Sequence, residues 1–391
     1  MKQLGFAQLA CVVLALELAA SGTASATPLR VGWNSELSGA WTFTGTACYD
    51  AAQLALTEVN SQDKRIELIL QDNQTNPAQA AAAARLLDAQ EKVTLISGPT
   101  NSDTSLAIYG FAEENQVPFL VPVAAFPRLT KPGTHETFRM EPDAVGWGYA
   151  AVKFFKSRKA DATIGIMSSD FAVNRAIVAG LKYQAEKDGL KIVQEIVFPQ
   201  TATDATVQIA QMKAKRPDFV YVAGASAFDA TLTKQLLEFG FKPEQLYHPF
   251  GAPKQILAWG ETSVGSYYGT FFDHNLPNLT ENGHRFVEAF RKAKGYSPGY
   301  QENFCYATIH FLNEIADKAS VSRDAMRTAL RHADHKEITT GVPIKFDSSG
   351  ARSEYIYVMQ LKSVSKSDFG ATKADYIEWS AQTLPVYDLA P

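Results

Sequence analysis

The chain has 391 residues, 46% of them hydrophobic and 20% charged, with 37 basic against 41 acidic side chains and a net charge of −4. That balance offers no basic face to nucleic acid or to an anionic membrane. Three cysteines are too few for a disulfide scaffold or a Cys-rich metal site, and the length exceeds what one hydrophobic core normally organises.

Residues 1–26 read as a cleavable signal peptide. Lys2 precedes an apolar run from Leu4 to Ala20, broken only by Gln8 and Glu17, and Ala24-Ser25-Ala26 supplies small residues before Thr27. The run is shorter and less clean than the ~20 apolar residues of a membrane span, so direct membrane insertion is not expected. Cys11 comes too early, behind too poor a box, for lipid attachment. The leader removes one basic and one acidic residue, Lys2 and Glu17, so the mature chain keeps its net charge. Cys48 and Cys305 remain, and the sequence leaves open whether they form a bridge or stay as buried thiols.

Short β-rich runs then alternate with helical stretches, the pattern of parallel sheets covered by helices on both faces. The spacing predicts strands at Leu29 to Trp33, Ile66 to Leu70, Val93 to Ile96 and Phe119 to Val121, with helices near 46–60, 77–90 and 101–116. After Phe138-Arg139-Met140-Glu141-Pro142-Asp143 the rhythm restarts. Strands are expected near 163–167, 191–198, 218–222 and 245–247, with helices near 143–158, 171–187, 203–214 and 226–239. A third stretch holds helices near 280–294, 300–318 and 322–333 and strands near 342–346 and 354–361. The fold class is α/β, with two doubly wound parallel-sheet units in tandem.

In such sheets ligands sit beyond the carboxyl ends of the strands, where loops meet helix N-termini. The first such loop, Glu36 to Gly45, carries Trp41 and Phe43 between glycines. The third carries Thr100, Asn101 and Ser102, a helix start that either caps only itself or also holds a carboxylate. The fourth, Val123, Ala124, Ala125 and Phe126, is apolar where a solvent loop would be polar. An apolar loop beside a helix N-terminus describes a pocket for an apolar acid.

Eight segments in order carry a resemblance that covers nearly all of the mature chain. They are LRVGWNSELSGAW with AAQLALTEVN, LILQDNQTNPAQAAAAARLL, ISGPTNSDTS, VPFLVPVAAFPRLT, TFRMEPD, TIGIMSSDFAVNRAIVAGL, PDFVYVAGASAFDATLTKQLLEFGF and PIKFDSSGARSEYIYVMQL. The chain resembles the periplasmic substrate-binding proteins of branched-chain amino acid-type ABC importers, which have the type I periplasmic binding fold. The resemblance implies a periplasmic protein, expected to act as a monomer, whose two lobes are joined by three crossing segments and close on a small ligand that a membrane permease then receives. The crossings fall near Arg139 to Asp143, Phe271 to Asn275 and Phe346 to Gly350. Lobe one is then 28–141 plus 275–346, and lobe two 142–274 plus 347–391.

The resemblance places carboxylate binding at Asn101 and Ser102, and the backbone around Ala124 is expected to join them. It puts Val123 and Ala125 where the family has a small residue and a Thr. It also aligns Phe250 with the acidic residue that pairs with an α-ammonium. A buried ammonium without a counter-charge costs several kcal/mol, so the expected ligand is a small apolar or aromatic carboxylic acid without an α-amino group. Asp170, Asp229 and Asp273 are the carboxylates able to restore the missing charge. Phe171, Phe228 and Phe250 are expected to face Trp41, Phe43 and Phe126 across the cleft, with Ser226 and Gln301 as further contacts. Arg139 either balances a ligand carboxylate or pairs structurally with Glu141, and the structural role is the expected one. The alternative ligand is a branched-chain or other apolar amino acid, and the alternative role a ligand-sensing receptor domain.

Catalysis finds no support. Gly224-Ala225-Ser226-Ala227-Phe228 imitates a nucleophile elbow but has Phe228 where a small residue is needed. No phosphate-binding glycine motif follows any strand, and His332 and His335 lack a third metal ligand. No cofactor or metal is expected.

Overall fold

The computed structural model describes residues 27–63, 65–224, 228–319, 322–352 and 354–379. The expected signal peptide and Ser226 lie outside these residues. Two sheets carry the fold. The first holds β1 (Leu29–Ser35), β2 (Ile66–Asp72), β3 (Leu95–Ser97), β4 (Phe119–Val121) and β5 (Thr137–Arg139), all parallel, in the order β2-β1-β3-β4-β5. Six of the seven residues of β1 are fully buried because helices cover both faces of the sheet. Those helices are α1 (Thr42–Val59), α2 (Pro77–Ala89) and α3 (Ser102–Asn115). Helix α2 starts where the sequence says it should, with Pro77 in the first turn and the Asn76 side chain accepting from the Ala78 and Gln79 N–H groups.

The second sheet repeats the scheme with β6 (Thr163–Ser169), β7 (Lys191–Phe198), β8 (Phe219–Ala223), β9 (Leu246–His248) and β10 (Tyr267–Thr270) in parallel. Its helices are α4 (Ala144–Arg158), α5 (Ala172–Asp188), α6 (Thr206–Lys215), α7 (Phe228–Glu238) and the short α8 (Pro253–Trp259). Two strands beyond the expected parallel set complete it: β13 (Glu354–Val364) runs antiparallel to β10, and β14 (Phe369–Trp379) antiparallel to β13. Of the expected strand at 342–346, only β12 (Pro343–Ile344) forms, paired antiparallel with β11 (His335–Lys336).

Helices α9 (Glu281–Lys294), α10 (Tyr300–Ala319) and α11 (Arg323–Arg331) lie between β10 and β13 in sequence. The chain folds back here, for α10 lies along α1 and a disulfide joins Cys48 to Cys305 with Cα atoms 5.4 Å apart. That settles the pairing the sequence left open. Segments far apart in the chain touch between the sheets. The Arg139 N–H donates to the Gly350 carbonyl at 2.9 Å, while Asp273 bridges Gly299. The Arg139 guanidinium is structural, as expected, but its partners differ. It donates to Thr130 Oγ1 at 2.9 and 3.2 Å and to the Glu141 main-chain carbonyl at 2.7 Å, and lies 3.6 Å from Asp143.

Candidate ligand-binding cleft

The loops that end the strands of both sheets converge between them. The first loop is pinned by Asp72, which accepts from the Ser38 hydroxyl and from the N–H groups of Leu37, Ser38 and Gln74. Burial works to raise this carboxyl, but those four hydrogen bonds prevail and hold it below its ordinary range. Trp41 is then fixed at the start of α1 by its N–H bond to Thr75 Oγ1 at 3.1 Å. The third loop turns at Gly98, whose φ of 102° disfavours a side chain and where an added Cβ would lie 2.8 Å from the Trp33 ring.

The third-loop residues divide their roles. Asn101 Oδ1 accepts from the Asp103 and Thr104 N–H groups, so it caps its own helix. Thr100 gives its N–H and its hydroxyl to the buried Glu36 carboxylate at 2.9 and 2.8 Å, with Thr104 Oγ1 and Asn73 Nδ2 completing that network. The Thr100 N–H and hydroxyl are therefore committed to Glu36, and Asn101 Oδ1 to its own helix. Ser102 is different: its hydroxyl is buried and makes no hydrogen bond. In the fourth loop the Ala124 N–H, expected to face a carboxylate, instead donates to Glu141 Oε2 at 2.8 Å. Ala124 also holds φ at 145°, a conformation costing about 1–3 kcal/mol and characteristic of ligand clamps. Val123, Ala125 and Phe126 are buried beside it.

Aromatic rings join the two sides. Trp41 meets Phe171, which precedes α5, at a centroid distance of 5.1 Å. Phe250 packs edge-on against Trp147 of α4 at 5.1 Å, and Trp147 reaches Tyr300 at the start of α10 at 6.0 Å. Gln301 is buried next to Tyr300. Phe43 lies under the Lys254 ammonium, 5.4 Å away, and the same ammonium is 4.9 Å from the Tyr296 ring. One expected member is elsewhere. Phe228 packs against Phe198 at 5.1 Å within the separate core that also holds Leu232, Leu236, Val220 and Ile209.

The three candidate counter-charges are all engaged. Asp170 pairs with Arg175 at 2.7 Å. Asp229 accepts from Trp259 Nε1 at 2.6 Å and from the Gly224 N–H at 3.2 Å. Asp273 accepts from the Tyr268 hydroxyl at 2.6 Å and from Asn275. By contrast, Trp41 Nε1, Trp147 Nε1 and Ser102 Oγ are buried and make no hydrogen bond within the protein. Two of these atoms are pure donors, and the third can donate. Trp147, Glu141, Lys254, Asp103 and Arg175 were not picked from the sequence. Only Trp147 left a trace there, as a bulky ring between Gly146 and Gly148 on a helix start.

A family model described as periplasmic binding protein matches residues 28–368. The chain belongs to this family. Its fold and relatives place it in the branched-chain amino acid-type branch, as a substrate-binding protein of an ABC transporter. This is a family of extracytoplasmic solute-binding proteins rather than enzymes. The Leu/Ile/Val-binding protein BraC3 of Rhizobium johnstonii is 23% identical over 320 residues, 80% of this chain and 86% of the relative. A leucine-binding protein LivK from Thermotoga maritima superposes with a TM-score of 0.79 at 21% identity, covering 91% of this chain and all of that one. A solute-binding protein from R. palustris, solved in complex with benzoate, gives 0.80 at 17% identity over 91% of this chain and 99% of that one. At such identities the superpositions establish the type I periplasmic binding fold. Among the described residues no helix is long and apolar enough to cross a membrane.

Proposed function

We propose that this protein captures a small apolar or aromatic carboxylic acid lacking an α-amino group and presents it to the permease of an ABC importer. One observation carries the reading. The unpartnered polar groups on the loop and helix starts that carry the aromatic rings include three donors, Trp41 Nε1, Trp147 Nε1 and the Ser102 hydroxyl, beside two acceptors, Asn174 Oδ1 and Gln255 Oε1, while Asp170, Asp229 and Asp273 already accept from in-chain donors. Buried donors gain by meeting an anion and gain nothing from an ammonium. Trp41, Phe126, Phe171 and Phe250 supply apolar walls for the body of the ligand. The lobes, 28–141 with 275–346 and 142–274 with 347–391, would swing about the three crossings, and ligand contacts to both would favour the shut form.

A thermal-shift panel of the mature protein tests the reading, because a ligand that binds only the folded state raises its stability by mass action. Benzoate-like and branched aliphatic acids are expected to raise the melting temperature. Stabilisation by amino acids alone would overturn the proposal.

A further inference from the structure

One carboxyl remains beside the fourth loop without a matching cation. Glu141 lies on the first crossing, 2% exposed, and its Oε2 holds the N–H of the strained Ala124 at 2.8 Å. Arg139, two residues before it, spends its donors on Thr130 and on the main-chain carbonyl of Glu141, and leans toward Asp143. Tyr300 approaches from α10, close enough for its hydroxyl to feel a charge on Glu141, and Glu302 stands on the same helix. Arg139, Asp143, Tyr300 and Glu302 are thus the charged and titratable groups around it.

We infer that Glu141 is a specificity-determining residue of the cleft, its protonated carboxyl admitting an acid anion and its ionised form admitting only a ligand that brings a cation. The inference rests on the proposed acid-binding cleft for its first half and on the same geometry for its second. Burial pushes the Glu141 carboxyl up to about 8, against the Ala124 hydrogen bond and the Arg139 charge that favour ionisation. At neutral pH it therefore keeps its proton. An anion bound beside it raises that value further, so acid affinity is full below about 8 and falls as the pH rises through it. An α-ammonium does the reverse: it needs the ionised form, so amino acid affinity climbs over the same range.

Calorimetric titration with benzoate and with leucine, at about pH 6.5 and about pH 9, separates these outcomes. The benzoate dissociation constant is expected to rise about tenfold at the higher pH, with close to one proton taken up per ligand bound there. In the Glu141→Gln protein that pH step should vanish. A pH-independent benzoate affinity in the wild type, or the same step in the variant, overturns the inference. Should the protein bind leucine and no benzoate, the acid-binding reading fails on its own. Glu141 is then still tested: its role demands leucine affinity that improves about thirtyfold toward pH 9 in the wild type only, and a flat profile removes it. The wild-type proton count needs no variant, so a poorly folding Glu141→Gln protein leaves the test intact.

Discussion

Asp229 illustrates how much a single side chain's role depends on partners that are distant in sequence. In the chain it reads as a free acidic residue near a strand end; in the fold it accepts from Trp259 Nε1, thirty positions away, and from the Gly224 N–H. Asp229→Ala leaves both buried donors unpaired, which should lower the unfolding free energy by about 2–3 kcal/mol in urea titration. Loss of ligand binding without loss of stability would instead make Asp229 the counter-charge for an ammonium. Asn101 was legible as a helix cap because its cap is local, two and three residues away. Thr100 and Ala124 were not, since their partners Glu36 and Glu141 come from other loops. Residue type and loop position were enough to choose the neighbourhood, while the direction of each hydrogen bond is a tertiary property.

At the scale of elements, the strands with compact apolar runs were readable, and β1 and β4 start where the alternation put them. Strand β10 has four residues, Tyr-Tyr-Gly-Thr, and is held by neighbours on both sides rather than by its own pattern. Strand β14 carries Lys373, Asp375 and Glu378 along an exposed edge and exists because β13 pairs with it. Helices α1 and α10, far apart in the chain, are stapled by Cys48 and Cys305 across a sequence separation of 257. Closing so long a loop restricts the unfolded chain strongly. Replacing both cysteines by alanine should cost about 3–5 kcal/mol, read from the urea midpoint at unchanged slope. A loss below about 1 kcal/mol would show that packing between the two helices already supplies that stability.

For the whole molecule, the contacts between the two sides do not all involve residues proposed to touch the ligand. Asp103 of α3 accepts from the Ala172 N–H at 3.4 Å and lies 3.8 Å from Arg175. Burial raises the Asp103 carboxyl above its ordinary range despite those partners. Lys254, before the ring pair of Phe43 and Tyr296, closes a second contact. Under the proposed lobe closure, such contacts would bias the open–shut equilibrium equally for every ligand. Lys254→Met should therefore weaken binding of all ligands by one common factor, about 3–10-fold, and enlarge the ligand-free radius of gyration in small-angle scattering. A change confined to one ligand would place Lys254 in the binding site instead.

The central claim is that the cleft takes an acid without an α-amino group, and head-to-head calorimetric titration of the mature protein with benzoate and leucine at neutral pH tests it most directly. Binding of benzoate at least about a hundredfold tighter than leucine, a difference of roughly 2.7 kcal/mol, is the predicted result. Tight leucine binding with no heat from benzoate would contradict it.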